Sequence, residues 1–315
     1  MRAVLVLLLA LAASLVLAAP AHAGEATSEG GHRIRWDAGL DDIAGRATRA
    51  LPRIRGQVET ALGFPFQGGP AEIVFVRGVE RMRELTGAGV PEWAAGVCQG
   101  SRSLIVIRAD RVDQSPLNPM EATLRHEWVH LAWSRRAGER TRLLPLWVEE
   151  GLAEDIGGGV SVEAGAQLDF AASFGWLLDF NEIATHWPRE ANKASLAYKQ
   201  GQSFVRYFRK EHGPDIFRTL LADLADGKDI DTKRPAKEQF GQVVFNRTGS
   251  PLNYWTALWK TDVEEQAAPW FHLLLRDFTW TLFILIAFIG LFTYGFIRRR
   301  RQRQIAELPD LPLRG

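Results

Sequence analysis

Leu124, Trp128, Leu131 and Ala132 recur at the three- and four-residue intervals that put apolar side chains on one face of a helix. Asn118 can cap that helix, Pro119 suits its first position, Glu121 completes a capping-box spacing with Asn118, and Gly138 is a stop. Before it, Ala71–Val76, Ala95–Cys98 and Ser103–Ile107 are short runs rich in apolar and β-branched residues, and they read as strands. Ala38 to Leu62 carries an amphipathic helical pattern that Pro52 should interrupt. After it, Pro145 opens a second helix and the glycines from 157 to 159 end it. From 157 to 194 the chain is glycine-rich and then aromatic. Phe170, Phe174, Trp176 and Phe180 read there as packing residues, some of them available to line a cleft. Helical pattern dominates from Leu196 to about Glu265, and no internal repeat occurs. The pattern predicts an α+β fold: a small mixed sheet over the helix around residue 126, then a mostly helical lobe, with a cleft between them.

The two ends read differently. Residues 1–23 carry a positive start at Arg2, an apolar core from Val4 to Leu17 and an A-x-A site at Ala21-His22-Ala23, the pattern of a cleaved secretory signal. Phe278 to Ile297 is an uncharged apolar run long enough for one transmembrane helix, and Arg298 to Arg301 follow at once, as the positive-inside rule expects of a cytoplasmic flank. The expected organisation is a signal peptide over 1–23, an extracytoplasmic domain over 24–270, a C-terminal transmembrane helix over 278–297 and a basic cytoplasmic tail over 298–315. A cell-membrane protein with one span is the expectation.

Composition narrows the partners. The 38 basic and 37 acidic residues leave a formal charge of +1, so no nucleic acid or other polyanion is implied. The single cysteine, Cys98, cannot form an intrachain disulfide and reads as a small core residue.

The chemistry is concentrated in His126-Glu127-Trp128-Val129-His130. On a helix, His126 and His130 stand one turn apart on one face, where two imidazoles close on a single zinc ion. Glu127 projects beside them and can take a proton from a water that the metal activates. A catalytic zinc site commonly takes a third protein ligand. Glu149 and Glu150 are both candidates, but they point about 100° apart on a helix. Glu150 is the choice, because Gly151 and Ala153 permit close packing beside it. Glu154, one turn on, would then hydrogen-bond a ligand imidazole.

H-E-x-x-H followed by W-x-x-E-G-x-A-E resembles the gluzincin metallopeptidases, the clan of thermolysin and aminopeptidase N. The interval from His130 to Glu150 resembles the thermolysin branch; Glu150-Gly151-Leu152-Ala153 resembles the aminopeptidase branch. Tyr198-Lys199-Gln200-Gly201 resembles the Y-x-x-G segment of the latter, whose tyrosine stabilises the tetrahedral oxyanion. The resemblance implies a zinc-dependent peptidase with metal ligands His126, His130 and Glu150, catalytic residues Glu127 and Tyr198, and a peptide or protein substrate. The G-x-M-E-N exopeptidase segment is missing, so an endopeptidase is expected. Two other readings stay open on the sequence: a catalytically silent membrane scaffold on the same fold, and a zinc hydrolase of a non-peptide amide.

Overall fold

The computed structural model describes residues 22–87, 89–112, 119–158, 162–228, 230 and 235–306. The expected signal segment up to residue 21, the Asn118 cap and the tail from 307 onward lie outside them.

Five strands, β1 (His22–Thr27), β2 (Arg33–Asp37), β3 (Glu72–Val76), β4 (Gly96–Gln99) and β5 (Leu104–Arg108), form one sheet in the order β1-β2-β3-β5-β4. β2, β3 and β5 are parallel; β1 and β4 are antiparallel to their neighbours and form the two edges. The sheet is mixed, as the pattern predicts, but it has gained β1 and β2. Side chains alternate across it. Ile34, Ile73, Phe75, Ile105 and Ile107 enter the main core, whereas Val74, Val76, Leu104 and Val106 enter a smaller one on the opposite face. Burial on both faces explains why β3 and β5 read as unbroken apolar runs.

Helix α1 (Asp41–Leu62) packs its buried stripe on the main core and runs without a break through Pro52, contrary to the expected interruption. Pro52 removes one helical hydrogen bond, but its neighbours Leu51 and Ile54 are fully buried, and that packing holds the helix together. α2 (Val79–Thr86) and α3 (Ala109–Val112) are short. α4 (Met120–Ala137) carries the H-E-x-x-H segment and starts one residue later than expected, with Pro119 as its cap residue; Glu121 in its first turn pairs with Arg53. α5 (Leu146–Gly157) begins after Pro145 and ends at Gly158 in the left-handed conformation.

The helical lobe follows: α6 (Val162–Ser173), α7 (Phe180–Ile183), α8 (Ala191–His212), α9 (Ile216–Asp226), α10 (Ala236–Thr248) and α11 (Leu252–Ala306). The glycine-rich and aromatic segment therefore contains a helix that its composition hides. Of its aromatics, Phe180 packs on Trp147 at 4.2 Å. Phe170, Phe174 and Trp176 instead stack on one another and stay exposed. The apolar run from 278 to 297 lies within α11. Among the described residues no helix is long and apolar enough to cross a membrane.

His32, 2% exposed, joins the sheet to α4. Its Nδ1 accepts the Ala71 amide at 3.0 Å, and its ring meets those of Phe66 and Trp128 edge-on. Burial pushes its pKa below the ordinary value of 6.5, and Arg55 and Arg135 push it further down. The unfolded chain therefore binds the proton first. Stability should fall as pH drops below about 6.5 and level off once the folded ring also titrates. Urea unfolding at a series of pH values should show this loss in the wild type and a smaller one in His32→Asn. Equal losses would assign the acid sensitivity to other groups.

Candidate metal centre

α4 and α5 cross so that three side-chain atoms converge. His126 Nε2 lies 3.2 Å from Glu150 Oε2 and 3.2 Å from His130 Nε2, and His130 Nε2 lies 3.3 Å from Glu150 Oε2. A tetrahedral zinc with bonds near 2.0–2.1 Å needs ligand atoms about 3.3 Å apart. The triangle has that size, and two imidazoles and a carboxylate are a donor set that such an ion takes.

Glu150 is in the triangle and Glu149 is not, yet Glu149 also belongs to the site. The His130 Nδ1–H donates to Glu149 Oε1 at 2.9 Å, which fixes the ring so that its Nε2 lone pair faces the triangle. The two acids meet His130 at different ring nitrogens, Glu150 at Nε2 and Glu149 at Nδ1, and of the two only Glu150 has an oxygen in the triangle. The role expected of Glu154 is corrected. Its carboxylate accepts from Lys199 Nζ at 3.4 Å and its carbonyl from Gln202 Nε2, so it fastens α5 to α8 rather than an imidazole.

The charges reinforce one another. Burial alone would raise the Glu150 carboxyl, but His130 and His126 hold it far below the usual carboxylate range. Burial disfavours the charged form of His126, but the Glu150 hydrogen bond outweighs it and makes the ring more basic than usual. His130 is more basic still, because Glu150 and Glu149 both face it.

Glu127, 6% exposed, lies beneath β4. Burial raises its carboxyl pKa above the usual value, a rise that His126 and His130 reduce, while its carboxylate accepts the Cys98 backbone N–H. A Cβ on Gly96 would stand 2.5 Å from Glu127 Oε1, so a glycine is what lets this strand lie on the carboxylate. Of the two strands beside the site, β4 and β5, only one is a free edge. It is β4, of which Gly96, Val97 and Cys98 line the cleft. Burial keeps Cys98 a thiol, and the negative charge of Glu127 adds to that.

Tyr198, on α8, completes the ring of groups. It packs against His126 at 6.0 Å and Trp187 at 4.8 Å. Burial, and then the charges of Glu150, Glu127 and Glu154, hold its pKa well above the usual value, so it is a hydroxyl donor at any ordinary pH. Its position depends on the crossing of α5 and α8. A Cβ on Gly151 would stand 2.4 Å from the Gly201 backbone, and one on Gly201 would stand 2.3 Å from the Trp147 carbonyl oxygen. The glycine after the ligand glutamate and the glycine three residues after the tyrosine thus meet. Gly201→Ala should part the helices, with a loss of about 1–3 kcal/mol in stability. Gly56→Ala, in α1 where a Cβ meets nothing within 4 Å, should instead be neutral or stabilising. Thermal unfolding of both variants checks this, and equal shifts would remove the close approach as the cause.

His126, Glu127, His130, Glu149, Glu150 and Tyr198 line one cleft of about 830 Å³ between β4, α4, α5 and the start of α8. Residues 72–246 match the family described as the Peptidase MA superfamily. The comparison with curated proteins finds no match. Among solved structures, yeast LTA4 hydrolase is similar with a TM-score of 0.45 and 12% identity, covering 74% of this chain and 37% of its own. The M1 zinc metallopeptidase from Deinococcus radiodurans is similar with a TM-score of 0.36 and 16% identity, covering 76% of this chain and 50% of its own. The chain spans about a third to a half of the length of these structures.

Proposed function

As the chain belongs to the Peptidase MA superfamily, we propose that it is a zinc-dependent endopeptidase in which His126, His130 and Glu150 hold the zinc, Glu127 is the general base and Tyr198 the oxyanion donor. The observation that carries this reading is the triangle of donor atoms, with edges of 3.2–3.3 Å, bordered by one buried carboxylate and one buried hydroxyl.

A zinc ion held there supplies Lewis acidity to the attacking water and the scissile carbonyl. The residues of the chain do the rest. Glu127 accepts a proton from the water and returns it to the leaving amine; its raised pKa suits both halves of that task. Tyr198 donates its hydroxyl to the carbonyl oxygen as negative charge develops. The free edge of β4 pairs with the substrate main chain and holds it extended. Endopeptidase action is favoured by the state of the cleft carboxylates. Glu127, Glu149, Glu150 and Glu154 are each engaged within the protein, so among the described lining residues no carboxylate is left for a free amino terminus.

The reading extends to location. The signal pattern of residues 1–23 and the apolar run before Arg298 support a catalytic domain outside the cytoplasm, anchored by one span. The exposure of α11 adds support. Leu282, Phe283, Ile284, Leu285 and Ile286 are consecutive and all exposed, so the helix presents apolar groups on every face, which suits a bilayer better than water.

The test is metal content and turnover of the purified protein beside His126→Ala. One zinc per chain is expected, lost in the variant together with cleavage of a peptide pool. Zinc uptake by metal-stripped protein near neutral pH should also release protons, because two rings more basic than usual must shed theirs to bind. Calorimetry in buffers of different ionisation enthalpy reads that release. Well-folded protein that takes up no zinc would overturn the reading.

A further inference from the structure

Apart from the two histidines of the triangle, the described lining of the cleft has four carboxylates and two cationic side chains, Lys199 and Arg189. Lys199 faces Glu154 at 3.4 Å. Arg189 is exposed, and among the described residues its guanidinium has no carboxylate partner. Its backbone is nonetheless fixed. The Trp93 indole N–H donates to the Arg189 carbonyl at 2.9 Å, and the Trp93 ring meets Tyr198 edge-on at 6.3 Å. This bond ties the segment before β4 to the segment before α8, so Arg189 stands at the amino end of the free edge, one indole away from Tyr198. Toward the carboxyl end of β4 the cleft is lined by Gly100, Ser134 and Thr141, which carry no charge. The cleft is therefore polar in the directional sense, with an unpartnered cation at one end only.

A peptide laid along β4 pairs better antiparallel than parallel. Its carboxyl side then runs toward Ala94, Trp93 and Arg189. We propose that Arg189 makes the cleft selective for a carboxylate on the carboxyl side of the scissile bond, supplied by an acidic side chain or by a free C-terminus. This rests on the metallopeptidase reading and adds the substrate class to it. An ion pair in an open cleft is weak and screened by salt, so the preference is about two- to fivefold at low ionic strength.

The test uses the full-length, zinc-loaded protein and quenched fluorescent peptides that differ only in Glu, Ala or Lys at the positions after the scissile bond, with cleavage sites fixed by mass spectrometry. A parallel pair carries a free or an amidated C-terminus and separates the two sources of the carboxylate. The wild type is expected to cleave the Glu or free-acid peptide about two- to fivefold better in kcat/KM than the Lys or amidated one, with the ratio shrinking in high salt. Arg189→Glu should reverse the order, and Arg189→Lys should keep it. Cleavage of the Ala peptide with Glu and Lys cut equally, or an order unchanged in Arg189→Glu, would overturn the role of Arg189 while leaving the peptidase reading in place. If no peptide is cleaved, that reading falls and this one with it.

Discussion

Glu127→Gln is expected to bind metal as the wild type does and to lose turnover by about a hundred- to ten-thousandfold, the range for removing a positioned general base. The amide keeps the shape under Gly96 and can still accept the Cys98 N–H, but it cannot take a proton from water. Glu127 lies outside the triangle of donor atoms, so the metal should stay. Metal analysis beside kcat separates the two effects, and loss of metal would make Glu127 structural. The wild-type pH profile gives a second check. A base whose pKa is raised by burial loses its function as pH falls through that value, so the acid limb of kcat/KM should lie above the ordinary carboxylate value of 4.5. Tyr198→Phe should likewise keep the metal and lower kcat by about a hundred- to a thousandfold, without moving that limb.

The second large effect concerns two adjacent acids. Glu150→Ala removes one corner of the triangle, leaves two imidazoles in place and should abolish zinc retention on dialysis. Glu149→Ala removes only the group that orients His130, and should weaken zinc about ten- to a hundredfold. Competition against a chelating dye ranks the two. If Glu149→Ala strips the metal and Glu150→Ala does not, the assignment of the ligand is reversed.

The sequence made the middle of the molecule legible and its margins less so. β3 and β5 are buried on both faces, and α4 has one clear stripe, so periodicity finds them. β2 has one fully buried residue, Ile34, in a run with Arg33, Arg35 and Asp37, and its apolar signal is too thin to read. α2 is short and charged, and α6 sits in a segment whose glycines and aromatics mask its helical spacing. At the site, the one-turn spacing of His126 and His130 and the small residues after Glu150 were enough to bring three groups to one point. The partner of His130 was not legible, because which acid reaches its second nitrogen depends on how α5 crosses α4. For the same reason Glu154 pointed the wrong way, as the helix has by then turned toward α8. Gly96 carries no signal in the sequence alone, and Gly201 stands out only as the last residue of the Y-x-x-G segment, since what makes the two necessary is a carboxylate or a backbone that only the fold brings close.

The meeting of Gly151 and Gly201 has a consequence for how such a protein can change over time. Either glycine guards the same narrow gap, so a side chain at one position already parts the helices and removes the reason for the other. The two positions are one inherited character written in two places, fifty residues apart in number and touching in space. A lineage that loses one is free to lose both, and with them goes the register that sets the ligand on α5 against the hydroxyl on α8.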